Sequence, residues 1–302
     1  MTVTAAATET ARHEDDTRSP WSLERLVPSF AARIHDVDLR EVALDGRASQ
    51  LRGLLAEHKV LFFAEQRLDN DAQVALGRAL GELTVSHPVV AGATAEHPEI
   101  YALDSFDGGR SDVWHTDVTF MPRPPMASIL RAVNIPDVGG NTNWVDLEAA
   151  YASLHPGLQR LADELTAEHD GSREFAEYLE RRGGEGNEWD GERVRQLKPV
   201  PHPVVRVHPE TGRRSLFVNP GFTTRILGVS DAESRGLLDA FFAHITRPEH
   251  LVRHRWRAGD VVMWDNRSTA HYADFNYADF RRVMHRITLR GDVPVGPLDP
   301  VG

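Results

Sequence analysis

Residues 114–118 read Trp-His-Thr-Asp-Val, a His-x-Asp pair set among aromatic and β-branched residues. In an extended segment, side chains two positions apart point to the same face. His115 and Asp117 can therefore hold one cation while Thr116 turns away. Two ligands do not close a metal site. The candidate for the third ligand is His271, which follows an apolar run and is predicted to lie at a strand end.

Two imidazoles and one carboxylate on one side of a metal leave the opposite positions open, as in non-haem Fe(II) oxygenases. The chain contains 15 histidines, so a His-x-Asp pair can also arise by chance on the surface or in the core. A basic cluster after His271 favours the metal interpretation. On a strand, Arg282 and Arg286 would share one face, whereas Arg281 and His285 would point away. Two buried arginines on the inner face of the strand indicate that two acidic ligands bind there, a co-substrate and a substrate. The alternative interpretation is that both arginines lie on the surface of a basic strand.

The composition excludes several classes of protein. The net charge of -11 argues against nucleic-acid binding. In an acidic protein, the charge of an acidic substrate must be neutralised by arginines placed at the binding site. Cysteine is absent, which excludes disulfides and thiolate metal sites and agrees with a reducing cytoplasm. No apolar run approaches the roughly 18 residues of a membrane span. We expect a cytoplasmic protein that binds a small anionic molecule and neither nucleic acid nor membrane.

Strand patterns dominate the chain, and helical spacing is confined to a few segments. Many strands with few, clustered helices predict a mainly β fold, a sandwich or barrel with helical decoration. We expect a disordered leader over residues 1–20 and a single domain over 21–302. The charged, glycine-interrupted segment 171–198 is either a solvated insertion or a mobile lid. The predicted strands include 59–63, 99–103, 127–133, 203–208, 215–218, 251–256, 261–264 and 283–290.

Seven separated motifs occur in a fixed order along the chain. They are Trp-His-Thr-Asp-Val-Thr-Phe at 114–120, Gly-Gly-Asn-Thr at 139–142, His-Pro-Val-Val-Arg at 202–206, Phe-Val-Asn at 217–219, Gly-Phe-Thr-Thr-Arg-Ile at 221–226, Trp-Asp-Asn-Arg at 264–267 and Arg-Val-Met-His-Arg at 282–286. From about Trp21 to Pro294 the chain resembles the taurine/2-oxoglutarate dioxygenase family, which includes alkylsulfatase and aryloxyalkanoate dioxygenase relatives. The resemblance implies a double-stranded β-helix, or jelly roll, and a homodimer or homotetramer.

The resemblance also implies a catalytic centre. His115, Asp117 and His271 would be the catalytic metal ligands for Fe(II), and Thr142 and Arg282 would hold the co-substrate 2-oxoglutarate. The implied reaction consumes O2, converts 2-oxoglutarate to succinate and CO2, and hydroxylates a carbon of the substrate. Beside a sulfonate or sulfate group, that product would collapse to an aldehyde with release of sulfite or sulfate.

The substrate residues implied by the resemblance lie elsewhere in the chain. Arg286, His87 and the backbone of Val118 would hold the substrate anion, and Phe175 and Phe222 would line its pocket. The implied substrate is taurine, an alkylsulfonate or an alkyl sulfate. Two alternatives stay open: the same chemistry on a carboxylate, as in aryloxyalkanoate or natural-product hydroxylases, or a non-catalytic metal-binding jelly roll.

The sequence departs from the family pattern where taurine's amine would bind. Relatives that act on taurine have a tyrosine after the His-Pro pair and acidic and amide residues before the metal motif, whereas this chain has Val90, Arg110 and Ser111. Since Arg110 replaces an acid, we expect a cationic amine to be disfavoured and a neutral or apolar tail to be accepted.

Overall fold

The computed structural model describes most of the chain. The described residues are 20–87, 96–108, 110–181, 197–277 and 279–299. The predicted leader, apart from Pro20, lies outside them, as do Val90 and residues 182–196 of the possible lid. Within the described residues, no helix is long and apolar enough to cross a bilayer.

Strands outnumber helices, as the sequence predicts. The strands are β1 (Ser22–Arg25), β2 (Ala32–His35), β3 (Val60–Phe63), β4 (Tyr101–Asp104), β5 (Ala127–Asn134), β6 (Thr142–Asp146), β7 (Thr166–His169), β8 (Val200–Pro203), β9 (Val205–Val207), β10 (Arg214–Leu216), β11 (Thr223–Ile226), β12 (Leu251–His254), β13 (Val261–Asp265), β14 (Thr269–Ala273) and β15 (Val283–Leu289). The α-helices are α1 (Leu39–Val42), α2 (Ala48–His58), α3 (Asn70–Leu80), α4 (Leu147–Ala152), α5 (Pro156–Glu164), α6 (Ser172–Arg181) and α7 (Asp231–Ile245).

The main sheet has seven strands in the order β1-β2-β3-β13-β5-β15-β4. All its neighbours are antiparallel except the pair β2 and β3. Two three-stranded sheets, β12-β6-β14 and β11-β7-β8, and the hairpin β9-β10 complete the strands of the described residues. The arrangement is the expected jelly roll, and the predicted hairpin around residue 210 is confirmed.

Alternation along the central strands builds two apolar layers. On β13, Val261 and Met263 pack toward α2 and α3, whereas Val262 and Trp264 face the sheet β12-β6-β14. Trp144 of β6 lies in the layer between these sheets, with the ring of Trp264 at 5.8 Å. Because side chains alternate with period two, one strand serves both layers. The opposite face of β6 packs on α4 and α7.

Two local expectations need correction. His271 is not at a strand end but in the middle of β14, where it is paired with Trp144. The segment carrying His115 is not a strand either, because it makes a single antiparallel bridge to His271 and enters a turn at Asp117. The expectation that Thr116 turns away is confirmed, since its hydroxyl donates to the carbonyl of Thr269 at 2.9 Å.

The charged segment 171–198 begins as an ordered helix. Its first residues form α6, and Phe175 of this helix is buried in an aromatic cluster. A wholly solvated insertion is therefore wrong for this part of the segment. Whether the segment acts as a lid remains a prediction.

Candidate active site

The three predicted metal ligands come together between β14 and the turn after the bridge. The Nε2 atoms of His115 and His271 lie 3.8 and 3.9 Å from Asp117 Oδ1. One ligand atom from each residue lies within 4.8 Å of the other two, and all three residues are buried. Reciprocal backbone hydrogen bonds join the histidines: His115 N donates to His271 O at 3.0 Å and His271 N to His115 O at 2.8 Å. The bridge therefore aligns two ligands that are distant in sequence.

The imidazoles are held in a form that can bind a metal. His115 Nδ1 lies 2.7 Å from the carbonyl of Val113, so it carries the proton and leaves the Nε2 lone pair directed toward Asp117. Burial, followed by the field of His115, lowers the pKa of His271 well below its ordinary value and keeps that ring neutral. Two imidazoles and a carboxylate in a buried cleft fit Fe(II).

The carboxylate of Asp117 is fixed from several sides. Ser128 Oγ donates to Oδ2 at 2.6 Å, and Arg286 Nη1 makes a close contact with Oδ1. The amide of Asn266 accepts from Asp117 N at 2.8 Å and donates to Asp117 O at 2.9 Å. Burial alone would raise the pKa of Asp117, but the charge of Arg286 outweighs it and the pKa is lowered to about 2. The carboxylate is ionised at neutral pH.

Ser128 and Asn266 were not predicted from the sequence. Asn266 belongs to the Trp-Asp-Asn-Arg motif at 264–267, so the motif carried a signal that its side chain could have a role. Ser128 sits on β5 in an apolar run and had no such signal. Its role depends on a strand that meets Asp117 only in the fold.

Two cavities meet at the triad, and Arg286 lines both. The arginine cavity lies on the side of Arg282. The aromatic cavity lies on the side of α6. Residues of the arginine cavity include Leu130, Thr142, Trp264, His271, Tyr277 and Arg282, and those of the aromatic cavity include His87, Tyr101, Val118, Phe120, Glu174, Phe175 and Phe222.

In the arginine cavity, Thr142 and Arg282 lie side by side as expected. Arg282 Nη2 donates to Thr142 Oγ1 at 3.4 Å, and Nε donates to the carbonyl of Gly140 at 3.2 Å. Gly140 has φ +64°, and a Cβ there would lie 3.1 Å from Arg282 Cδ, so glycine allows this approach. Burial lowers the pKa of Arg282 to about 10, which leaves it charged. These side-chain partners are neutral oxygens, so an anion would complete the site.

In the aromatic cavity, the structure brings together all five predicted substrate residues: His87, Val118, Phe175, Phe222 and Arg286. The ring of His87 lies 4.9 Å from that of Phe175. Burial, then the charge of Arg286, lowers the pKa of His87 to about 3, so the imidazole is neutral. One cation beside a neutral imidazole suits a single anionic group.

Three further residues of this cavity were missed from the sequence. Phe120 links Phe175 and Phe222, with ring centroids at 5.2 and 4.9 Å. Tyr101 lies below the guanidinium of Arg286, 5.4 Å from ring centroid to Cζ. Phe120 ends the motif at 114–120, which was a usable signal. The third residue is Glu174. The sequence places it in a charged segment that could be solvated, but in the structure its side chain is half-buried in the cavity wall.

The residue that replaces the family's acid lies at the junction of both cavities. Arg110 makes two hydrogen bonds to the carboxylate of Asp112, at 2.6 and 2.5 Å, and its Cζ lies 4.3 Å from the ring centroid of Phe275. Its charge is thus locally compensated. Ser111 lines both cavities beside it, and Val90 is outside the described residues.

Comparison with known proteins agrees with this geometry. Residues 22–288 match the model of the taurine catabolism dioxygenase TauD, TfdA family. An alkylsulfatase of Acinetobacter baylyi is 39% identical over 91% of this chain and 86% of its own. An alpha-ketoglutarate-dependent sulfate ester dioxygenase of Pseudomonas putida is 39% identical over 92% and 93% of the two chains. A solved taurine dioxygenase from Burkholderia xenovorans, also 39% identical, superposes with a TM-score of 0.77 over 92% and 91%.

Proposed function

Because this chain belongs to the taurine catabolism dioxygenase TauD, TfdA family and is an Fe(II)- and 2-oxoglutarate-dependent dioxygenase, we propose that its substrate is an alkyl sulfate or alkylsulfonate with a neutral, apolar tail. The observation that carries this proposal is the aromatic cavity. Its lining combines Arg286 and the neutral imidazole of His87 with the rings of Phe175 and Phe222. Such a cavity suits one anionic group joined to an apolar chain.

The roles of the residues follow from their positions. His115, Asp117 and His271 would hold Fe(II), which supplies oxygen activation coupled to decarboxylation of 2-oxoglutarate. Arg282 would pair with the distal carboxylate of 2-oxoglutarate, because a guanidinium can meet both carboxylate oxygens. Thr142 would donate its hydroxyl to the same group. Its oxygen already accepts from Trp256 Nε1 at 2.9 Å, which orients it.

The substrate anion would be held by Arg286, His87 and the main-chain N–H of Val118. These groups would place the carbon next to the sulfate oxygen beside the triad, and the walls would limit the access of water. Replacement of one C–H bond of that carbon by C–O–H gives a hydroxylated ester. It breaks its C–O bond to sulfate as the hydroxyl proton leaves, yielding an aldehyde and sulfate.

The position of Arg110 favours a sulfate or sulfonate with an apolar tail over taurine. Sequence identity does not decide between them, since the relatives named for sulfate esters and the solved taurine dioxygenase are all 39% identical to this chain. The acid expected near an amine is replaced by Arg110, which is held by Asp112 at the junction of the cavities. The carboxylate of Glu174 also lines the aromatic cavity, so taurine is the informative competitor in any assay.

Four broader expectations belong to the same proposal. Residues 21–302 would form one domain, and the segment 171–198 would close over the bound substrate as a lid. The family resemblance suggests a dimer or tetramer, and the absence of cysteine suits the cytoplasm.

The deciding experiment measures succinate formation by anaerobically loaded Fe(II) enzyme after addition of 2-oxoglutarate and oxygen. Hexyl sulfate, hexanesulfonate, taurine and an aryloxyacetate are compared, with release of sulfate or sulfite measured in parallel. We expect hexyl sulfate or hexanesulfonate to stimulate turnover with matching release of its sulfur anion. A strong preference for taurine would contradict the apolar tail, and stimulation by the aryloxyacetate alone would indicate a carboxylate substrate.

A further inference from the structure

Val118 has an unusual backbone conformation for its side chain. Its φ is +58°, in the left-handed region that β-branched residues rarely adopt. Such a residue persists only where its surroundings over-determine the conformation. Val118 is also buried in the wall of the aromatic cavity, next to the metal ligand Asp117. The strained residue therefore lies where the substrate anion is proposed to bind.

The chain is held on the near side of Val118 by one amide. Asn266 accepts from the N–H of Asp117 at 2.8 Å and donates to its carbonyl at 2.9 Å. The peptide unit entering Val118 is therefore anchored to the turn between β13 and β14.

The chain is held on the far side by a histidine that lines neither cavity. His202 Nε2 lies 2.8 Å from the carbonyl of Thr119 and 3.1 Å from the carbonyl of Met121. Since both partners are acceptors, this nitrogen carries a proton and shares it between them. The N–H of Met121 donates to Val118 O at 3.1 Å and closes the turn 118–121. One imidazole thus holds two carbonyls of the turn that contains the strained residue.

A second contact fixes the side chain inside the turn. Thr119, fully buried, accepts through Oγ1 from Asn219 Nδ2 at 3.2 Å and lies 3.0 Å from His169 Nδ1. His169 and His202 are themselves in edge-to-face contact, with centroids 5.1 Å apart. Burial lowers the pKa of both histidines, so this support consists of neutral groups.

We propose that His202 is a positioning residue for the substrate anion. It keeps the turn 118–121 in the conformation in which Val118 faces the aromatic cavity and its main-chain N–H can meet the anion. The inference rests on the proposed function, since it assigns His202 to the binding of that sulfate or sulfonate. His202 acts through the turn and contacts neither the metal ligands nor Arg282, so 2-oxoglutarate should be bound independently of it.

The test compares His202→Leu with His202→Gln in the full enzyme loaded with Fe(II). Leucine removes the donor and leaves two carbonyls without it, whereas glutamine keeps an N–H that can reach them. For His202→Leu we expect the KM for hexyl sulfate to rise about tenfold or more, while the KM for 2-oxoglutarate stays within about twofold. His202→Gln should recover most of the loss. The matched control is His250→Leu, a buried, hydrogen-bonded histidine away from both cavities, which should change neither KM.

A double-variant cycle with Val118→Gly separates positioning from general stability. Glycine adopts positive φ without strain, so the conformation of the turn 118–121 should depend less on the hydrogen bonds from His202. We expect His202→Leu to raise the KM for hexyl sulfate only about twofold to threefold in the Val118→Gly background. Equal effects in both backgrounds, or parallel rises in both KM values, would overturn the proposal.

The outcomes also separate this proposal from the proposed substrate. If the wild-type enzyme is not stimulated by hexyl sulfate, the substrate assignment fails, and the same KM comparison is made with the anion that does stimulate succinate formation. If hexyl sulfate is turned over and its KM is unchanged in His202→Leu, the positioning role fails while the function stands.

Discussion

The two cavities that meet at Arg286 are built differently. The arginine cavity takes its main polar groups from two sheets: Thr142 begins β6 and His271 lies within β14, whereas Arg282 directly precedes β15 of the main sheet. The aromatic cavity takes more of its lining from connecting segments and one helix, with Val118 in a turn and Phe175 on α6, although Tyr101 and Arg286 lie on β4 and β15. Sheet positions are set by backbone pairing with neighbouring strands, whereas loops tolerate substitution. The residues predicted to hold 2-oxoglutarate therefore lie on or beside strands, whereas most of the residues predicted to hold the substrate lie in connections.

The largest expected effect is at the triad, where both cavities depend on one carboxylate. Asp117→Asn removes the charged ligand while keeping the size of the side chain, so Fe(II) should bind weakly and substrate-stimulated succinate formation should fall about 10³-fold or more. Anaerobic Fe(II) titration and kcat measure the two effects. Asp112→Asn, which alters only the partner of Arg110, serves as the control. An Asp117→Asn enzyme with normal iron affinity would show that the triad is misassigned.

The next effect should be confined to the arginine cavity. Arg282→Ala removes the buried guanidinium beside Thr142, and we expect the KM for 2-oxoglutarate to rise about 100-fold because a charge-assisted contact is lost. Its neighbour Arg281, which is exposed and paired with Asp104, offers a matched control in Arg281→Ala. A rise in the KM for hexyl sulfate alone would contradict the division between the cavities.

A smaller effect should be confined to the aromatic cavity. Phe175→Ala removes a ring that packs against His87 and Phe120, so the KM for hexyl sulfate should rise about tenfold, and less for a shorter alkyl sulfate. The KM for 2-oxoglutarate should not change. Glu177→Ala on the same helix removes only a surface pair with Arg173 and is the control. Equal losses for long and short tails would show that Phe175 does not contact the tail.

The smallest effect concerns stability and the buried imidazole of His87. The pKa of this group is lowered from about 6.5 to about 3 in the folded protein, so the unfolded chain binds the proton first as the pH falls. This contribution to stability is present above pH 6.5 and is lost progressively toward pH 3. Between pH 7.5 and pH 5, the urea midpoint should therefore fall more for the wild type than for His87→Gln. Parallel pH profiles would indicate that His87 is accessible to protons in the folded state.

Much of the site was predictable because its residues occur in motifs with local geometry. The His-x-Asp pair, Thr142, Arg282 and Arg286 were identified from spacing and resemblance, and the structure places each beside a cavity. Both Arg282 and Arg286 line the arginine cavity, as side-chain alternation predicts, although the register of β15 shifts between Val283 and Met284. Arg282 precedes that shift, so strict alternation alone did not secure its orientation.

Other features were not predictable because their partners are distant in sequence. From the sequence, Glu174 is indistinguishable from a solvated surface charge. It lines the cavity because α6 packs the neighbouring Phe175 into the aromatic cluster. Arg110 was expected to disfavour a cationic amine on the substrate, and only the fold revealed that Asp112 and Phe275 hold its side chain. The support of the turn 118–121 by His202 joins segments 83 positions apart.

The sequence by itself determined which residue types face one side of each strand, since side chains alternate with period two and apolar faces must be buried. It therefore determined the mainly β fold, the ligand types and the two basic positions after His271. Only the tertiary structure decided which faces meet. The bridge between His115 and His271 and the contact of Ser128 with Asp117 arise from non-local pairing, whose register depends on the packing of whole sheets and not on any local pattern.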